Sequence, residues 1–93
     1  MRHIDSSGSF KKQFKLMIRR GKSEAELKRL ITLLAKDEPL PPKYRDHALT
    51  GNFLGFRDCH IQPDWLLIYK KIDSADGRGI LQLEATGTHS DLF

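Results

Sequence analysis

The sequence predicts an α+β domain in which an N-terminal helical hairpin packs on an antiparallel β-sheet of three or four strands. Three observations predict it. Apolar residues recur at helical spacing between positions 10 and 34, prolines 39, 41 and 42 stop that pattern, and short apolar runs separated by glycine-containing turns follow. A chain of 93 residues is the size of one domain, spanning 1–93, with a small core.

Residues 2–5 are a candidate opening strand. In "SFKKQFKLMIRR" (9–20), Phe10, Phe14, Met17 and Ile18 fall at i, i+4, i+7 and i+8, which makes one apolar stripe of an amphipathic helix. Gly21 is placed to cap its C-terminus. Ser23 opens a second helix, with Glu26 at capping-box spacing and Leu27, Leu30, Ile31 and Leu34 as its stripe. The short link between the two helices predicts an antiparallel hairpin. "HALTGNFLGF" (47–56) reads as strand, turn, strand; "DWLLIYKKI" (64–72) is a strand and "DSADGRG" (73–79) a turn. In "ILQLEAT" (80–86), Ile80, Gln82 and Glu84 alternate with Leu81, Leu83 and Ala85, the period of a strand with two different faces. "GTHSDLF" closes the sequence as a short turn or tail.

Charge is unevenly divided. Residues 1–45 carry twelve Lys/Arg against five Asp/Glu, a net of +7, whereas residues 46–93 carry four against seven, a net of −3. The basic half suits an anionic partner such as RNA, DNA or an acidic protein, and equally suits a solvated helix surface. No apolar run approaches the roughly 20 residues that span a bilayer, and the N-terminus lacks the apolar stretch of a secretory signal. Cys59 is the sole cysteine, so it has no internal disulfide partner; a reducing cytoplasm fits, and the thiol is expected to be inert packing.

His47, His60 and His89 each fall at a predicted strand end or loop, accompanied by Asp46, Arg57, Asp58, Asp64 and Trp65. A phosphate-binding glycine loop, a G-x-S-x-G elbow and an H-E-x-x-H pair are all absent. The histidine separations of 13 and 29 residues match no familiar ligand spacing, so neither metal nor cofactor is expected. Histidines suit RNA cleavage by the substrate's own 2′-hydroxyl. That reaction needs a base for the 2′ proton, an acid for the departing 5′ oxygen, and positive charge on the phosphorane. Taken singly, each histidine is more often a surface residue or hydrogen-bonded filler, and Trp65 is more often core than a stacking platform.

The string "RDHALTGNFLGFRDCHIQPDWLLIYK", followed by "EATGTHSDLF", resembles the YafQ branch of the RelE/ParE toxin superfamily. The matching elements are D-H-x-L-x-G (Asp46 to Gly51), G-F-R-D-x-H-I-x-P-D-W (Gly55 to Trp65), L-I-Y-K (Leu67 to Lys70) and T-G-T-H with a terminal L-F (Thr86 to Phe93). The resemblance implies a RelE-like fold and a ribosome-dependent endoribonuclease, an mRNA interferase that cuts mRNA in the ribosomal A site. It implies a cognate antitoxin, with operator DNA met only through the antitoxin complex, and no membrane partner. His47, His60, Asp64 and His89 take the positions of the family's catalytic residues, and Arg57, Trp65 and Phe93 those of substrate-binding residues. The histidines would share acid and base duties, with a buried carboxylate beside an imidazole holding its tautomer. Lys11, Lys12, Lys15, Arg19 and Arg20 would contact ribosomal RNA.

One position departs from the family pattern: Ala85 stands where the family usually has an arginine before T-G-T-H. Three explanations fit: a detoxifying substitution, a naturally weakened toxin, or compensation by Arg57 or another cation. Two further functions stand as alternatives: a ParE-like gyrase-directed toxin, and a degenerate, non-catalytic toxin that acts as an antitoxin-binding co-repressor.

Overall fold

The computed structural model describes residues 1–93. In chain order the elements are β1 (His3–Ser6), α1 (Gly8–Arg19), α2 (Glu24–Ala35), β2 (His47–Ala48), β3 (Arg57–Gln62), β4 (Trp65–Asp73), β5 (Gly79–Gly87) and α3 (His89–Leu92). Short 3-10 turns at Pro42–Tyr44 and Gly51–Phe53 flank β2. The sheet has five strands in the order β1-β5-β4-β3-β2. It is mixed rather than antiparallel throughout, because β1 runs parallel to β5, pairing His3 with Ile80 and Ser6 with Leu83. The two pairing strands lie at opposite ends of the sequence, so local patterning carries no trace of their pairing. No helix is long and apolar enough to cross a membrane.

Both long helices start and stop where their end residues dictate. Ser7 caps α1 by accepting from the Phe10 amide at 2.9 Å. Beyond its last turn, Gly21 takes φ +87°, and the amides of Gly21 and Lys22 return to the carbonyls of Ile18 and Met17. That is the Schellman arrangement, which needs a left-handed residue at the position glycine occupies. Ser23 caps α2 through the Glu26 amide, yet the Glu26 carboxylate turns away to accept from Gln62 Nε2 at 3.0 Å, so the capping box closes on one side only.

The core lies on one face of the sheet. Phe10 and Met17 of α1 and Leu27, Leu30, Leu34 and Ala35 of α2 pack with Cys59, Ile61, Trp65, Leu67, Tyr69, Leu81 and Leu83. These strand residues alternate with a second set, Asp58, His60, Leu66, Ile68 and Ala85, which is also buried but stands apart from the helix-side core. Strand alternation thus gives the sheet a dry face and a face where polar groups gather. Cys59 is fully buried, and desolvation pushes its thiol well above the ordinary range, consistent with packing.

A bulge decides which face Ala85 occupies. β4 and β5 pair Ile68 with Ala85 but Tyr69 with Leu83, leaving Glu84 as the extra residue on β5. The strict alternation read from the sequence would group Ala85 with Leu81 and Leu83. The bulge instead moves Ala85 to the polar face.

Candidate active site

The hydrogen-bonding register assembles the site from distant sequence. His47 pairs with Asp58, Asp58 with Ile68, and Ile68 with Ala85, which makes one row across four strands. The next row pairs His60 with Leu66 and Leu66 with Gly87. The β3–β4 hairpin turns through Pro63 and Asp64, at the same end of the sheet as the exit of β5 into α3. Gly87 permits that exit: a Cβ there would meet the Cβ of Asp91 at 2.9 Å, so a larger residue would push α3 away. Thr88 caps α3 in a reciprocal box with Asp91, and Asp91 also pairs with Arg20 at 2.8 Å, fastening the turn to the end of α1.

The three histidines share one site. The His60 ring stands between the others, 6.3 Å from the His47 centroid and 5.4 Å from that of His89. His89 Nδ1 lies 2.6 Å from Asp64 Oδ1, and the same oxygen accepts the His89 amide at 2.9 Å. These bonds, the amide first, hold the Asp64 carboxyl below its ordinary pKa. Both groups are more than half exposed, so the carboxylate expected to be buried beside an imidazole is not Asp64.

The buried carboxylate is Asp58, 3% exposed, with Oδ2 3.7 Å from His47 Nε2 and Oδ1 without any partner. Desolvation raises its pKa, although the three nearby imidazoles oppose the rise. The sequence reading gave Asp58 no role. The available signal was its i, i+2 spacing to His60 in "RDCH", which sets both on one face of a strand.

Two expected substrate-binding residues sit elsewhere. Trp65 is fully buried on the helix side, its indole donating to Thr86 Oγ1 at 3.0 Å, so it has no open face for a base. It braces β5 just below the site, with help from Gln13, which accepts the Thr86 amide. Arg57 alternates onto the face opposite Asp58 and His60, where it donates twice to Asp46 at 3.3 and 3.2 Å. Tyr69 donates to the same carboxylate at 2.5 Å. Arg57 therefore steadies the segment that carries His47 and does not replace a missing cation at Ala85. Phe93 does border open solvent, 62% exposed and edge-on to Phe53 at 5.7 Å.

Lys11, Lys12, Lys15 and Arg19 form no ion pair, whereas Arg20 is engaged by Asp91. A cavity of about 560 Å³ opens beside His60, with Arg29, Lys43 and Arg45 among its lining residues.

Residues 2–93 match the family model described as "Bacterial toxin of type II toxin-antitoxin system, YafQ". The chain belongs to the YafQ toxin family. It is 46% identical to the mRNA interferase toxin YafQ of Escherichia coli K12 over 93 residues, covering 99% of this chain and 96% of that one. The toxin chain in a crystal structure of the E. coli DinJ–YafQ complex superposes with a TM-score of 0.87 at 46% identity, covering 100% of this chain and 99% of that one. A crystal structure of a metal-bound toxin from Helicobacter pylori gives a TM-score of 0.87 at 38% identity, with each chain fully covered. The α+β fold of this YafQ-family chain is thus the fold of solved toxins.

Proposed function

We propose that this chain is a ribosome-dependent endoribonuclease toxin that cleaves mRNA by histidine acid–base chemistry and is neutralised by a cognate antitoxin. The observation that carries the reading is the row of three imidazoles, His47, His60 and His89, drawn from three separate segments onto one end of one sheet face. The E. coli relative's name as an mRNA interferase and its complex with DinJ support the reaction class and the partner.

The reaction follows from the groups present. One imidazole takes the proton from the 2′-hydroxyl as the 2′ oxygen attacks phosphorus. The bond from phosphorus to the 5′ oxygen breaks, and a second, protonated imidazole gives its proton to that oxygen. The products are a 2′,3′-cyclic phosphate and a free 5′-hydroxyl. His89 is suited to proton transfer, because Asp64 fixes its Nδ1 and leaves Nε2 toward solvent and substrate. His60 neighbours both other rings and is placed to face the phosphate. Phe93 offers an exposed ring for a base, and the unpaired cations of α1 together with Arg29, Lys43 and Arg45 suit RNA backbone. The site lacks a fixed positive charge at residue 85, so cleavage is expected to be slow.

The test is primer-extension mapping of mRNA after induction of this chain and of its Ala85→Arg form side by side, repeated in a purified translation system with and without ribosomes. Cuts that require ribosomes and strengthen with Ala85→Arg support the reading. Uncut mRNA in both forms contradicts it.

A further inference from the structure

The corner that carries His89 has little burial to hold it. α3 is a four-residue helix, and His89 and Asp64 are each more than half exposed. A bond of 2.6 Å between two open side chains keeps its geometry only if the segments that bear them are fixed relative to each other. β1 does not reach that far. Its last pair joins Ser6 to Leu83, so Glu84 to Gly87 of β5 have no strand on the β1 side.

α1 takes over where β1 stops. The Ser7 hydroxyl donates to the carbonyl of the bulged Glu84 at 2.7 Å. Gln13 Oε1 then accepts the Thr86 amide at 3.0 Å. Thr86 is fully buried, so without that oxygen its amide would be orphaned away from water. The Thr86 hydroxyl accepts the Trp65 indole at 3.0 Å and donates to the Leu66 carbonyl at 2.7 Å. Thr86 lies three residues before His89, and Trp65 directly follows Asp64. This one node therefore spaces the two segments that carry the imidazole–carboxylate pair. The second hold comes from the other end of α1. Arg20 Nη1 donates to Asp91 Oδ2 at 2.8 Å, and the same oxygen accepts the Thr88 amide at 2.9 Å, one residue before His89. The Thr88 amide, and then Arg20, hold the Asp91 carboxyl down at about 2, so it stays charged at neutral pH.

We propose that Gln13 and Arg20 are positioning residues for His89: one helix grips the β5–α3 corner on both sides of the imidazole and keeps its Nδ1–H on Asp64. A carboxylate only accepts, so the neutral ring held there carries its hydrogen on Nδ1 and turns Nε2 outward. The inference rests on the ribonuclease reading only for what His89 does once placed. On that reading Arg20 parts company with the other cations of α1. Lys11, Lys12 and Lys15, which make no ion pair, serve RNA binding, whereas Arg20 serves the imidazole.

The test is long-range proton–nitrogen NMR of the His89 ring in the full chain at alkaline pH, where an ordinary imidazole is neutral and its two nitrogen shifts report the tautomer. It uses neither RNA nor ribosomes, so its outcome is independent of any nuclease activity. The wild-type chain is expected to hold the Nδ1–H tautomer. Gln13→Leu, which orphans the Thr86 amide, and Arg20→Met, which releases Asp91, are each expected to move the ring toward the Nε2–H tautomer with circular dichroism unchanged. Gln13→Glu keeps the acceptor and Arg20→Lys keeps the charge, so both are expected to restore the wild-type ring. In a reconstituted translation assay Gln13→Leu and Arg20→Met should lower kcat by up to about 10²-fold with KM unchanged. A ring that keeps Nδ1–H in both of these variants, or a shift that Gln13→Glu and Arg20→Lys fail to reverse, would overturn the proposal. A rise in KM at unchanged kcat for Arg20→Met would return Arg20 to the RNA contacts and overturn its part. A reversible tautomer shift in a chain that cuts no mRNA in any form would support the positioning and contradict the ribonuclease reading alone.

Discussion

The molecule carries two imidazole–carboxylate pairs, and they differ in almost every respect. His89 and Asp64 meet at 2.6 Å in the open, on a hairpin tip and a C-terminal turn, with the carboxylate satisfied by an amide and a ring nitrogen. His47 and Asp58 stand 3.7 Å apart, with the carboxylate buried between strands and half of it unpaired. The first pair holds its carboxyl below the usual range; in the second, desolvation lifts it. The same two functional groups thus take opposite electrostatic characters according to whether hydrogen-bond donors reach the carboxylate or burial strips it of water. The exposed pair is equipped to move a proton. The buried pair keeps a carboxylate oxygen without a partner, and Ala85 in the same row brings no cation to it.

The largest expected effect breaks the exposed pair. His89→Ala should lower mRNA cleavage by about 10²–10⁴ in a reconstituted translation assay. Asp64→Asn, which keeps the shape and removes the charge, should lose activity in the same direction and by less. The next effect repairs the buried pair. Ala85→Arg should raise cleavage by about 10²–10³ and deepen growth inhibition; an arginine variant no more active than this chain would refute the missing-charge argument. Charge reversal at Lys11, Lys12 and Lys15 should weaken ribosome pelleting most at low salt, because phosphate contacts release counterions. Unchanged binding would return these lysines to the status of solvated surface.

A smaller effect separates stability from catalysis within the buried pair. Asp58→Asn should raise stability by about 1 kcal/mol, because it removes a buried, half-unpaired charge and supplies a donor. For a chain of this size that is a rise of about 4–8 °C in Tm by calorimetry. The smallest effect lies outside the site. Lys71 and then Arg2 hold the Asp37 carboxyl down at about 2. A carboxyl lowered on folding adds stability above its unfolded value near 3.8 and loses that contribution as pH falls toward 2. Carboxyl NMR should place the Asp37 midpoint near 2, and Lys71→Met should move it upward.

Much of this was legible in the residues. The stripes Phe10–Ile18 and Leu27–Leu34 gave both helices because 3.6-residue periodicity is a local property. The strands from Arg57 onward were legible for the same reason at period 2. The partnership of β1 with β5 was not, since it depends on a contact between the two ends of the sequence. The placement of Ala85 was not, because one bulged residue at Glu84 inverts an alternation that looked regular. His47, His60 and His89 stood out by residue type at predicted strand ends before motif similarity singled them out, and the fold brings their rings together. Trp65 and Arg57, expected from the resemblance to bind substrate, lie on the helix side of the sheet, as the bare expectation of a core Trp65 has it. Their neighbours in the motif were chemical, but their own parity points to the core side. Asp58 went without a role because a buried, unpaired carboxylate is recognised only once burial is known.

The most direct measurement is primer extension on a single mRNA translated in a purified system, run with the Ala85→Arg chain and with the same chain carrying His89→Ala. Ribosome-dependent cuts in the first that vanish in the second are the expected result. Equal cutting by both, or none by either, would contradict catalysis by this row of imidazoles.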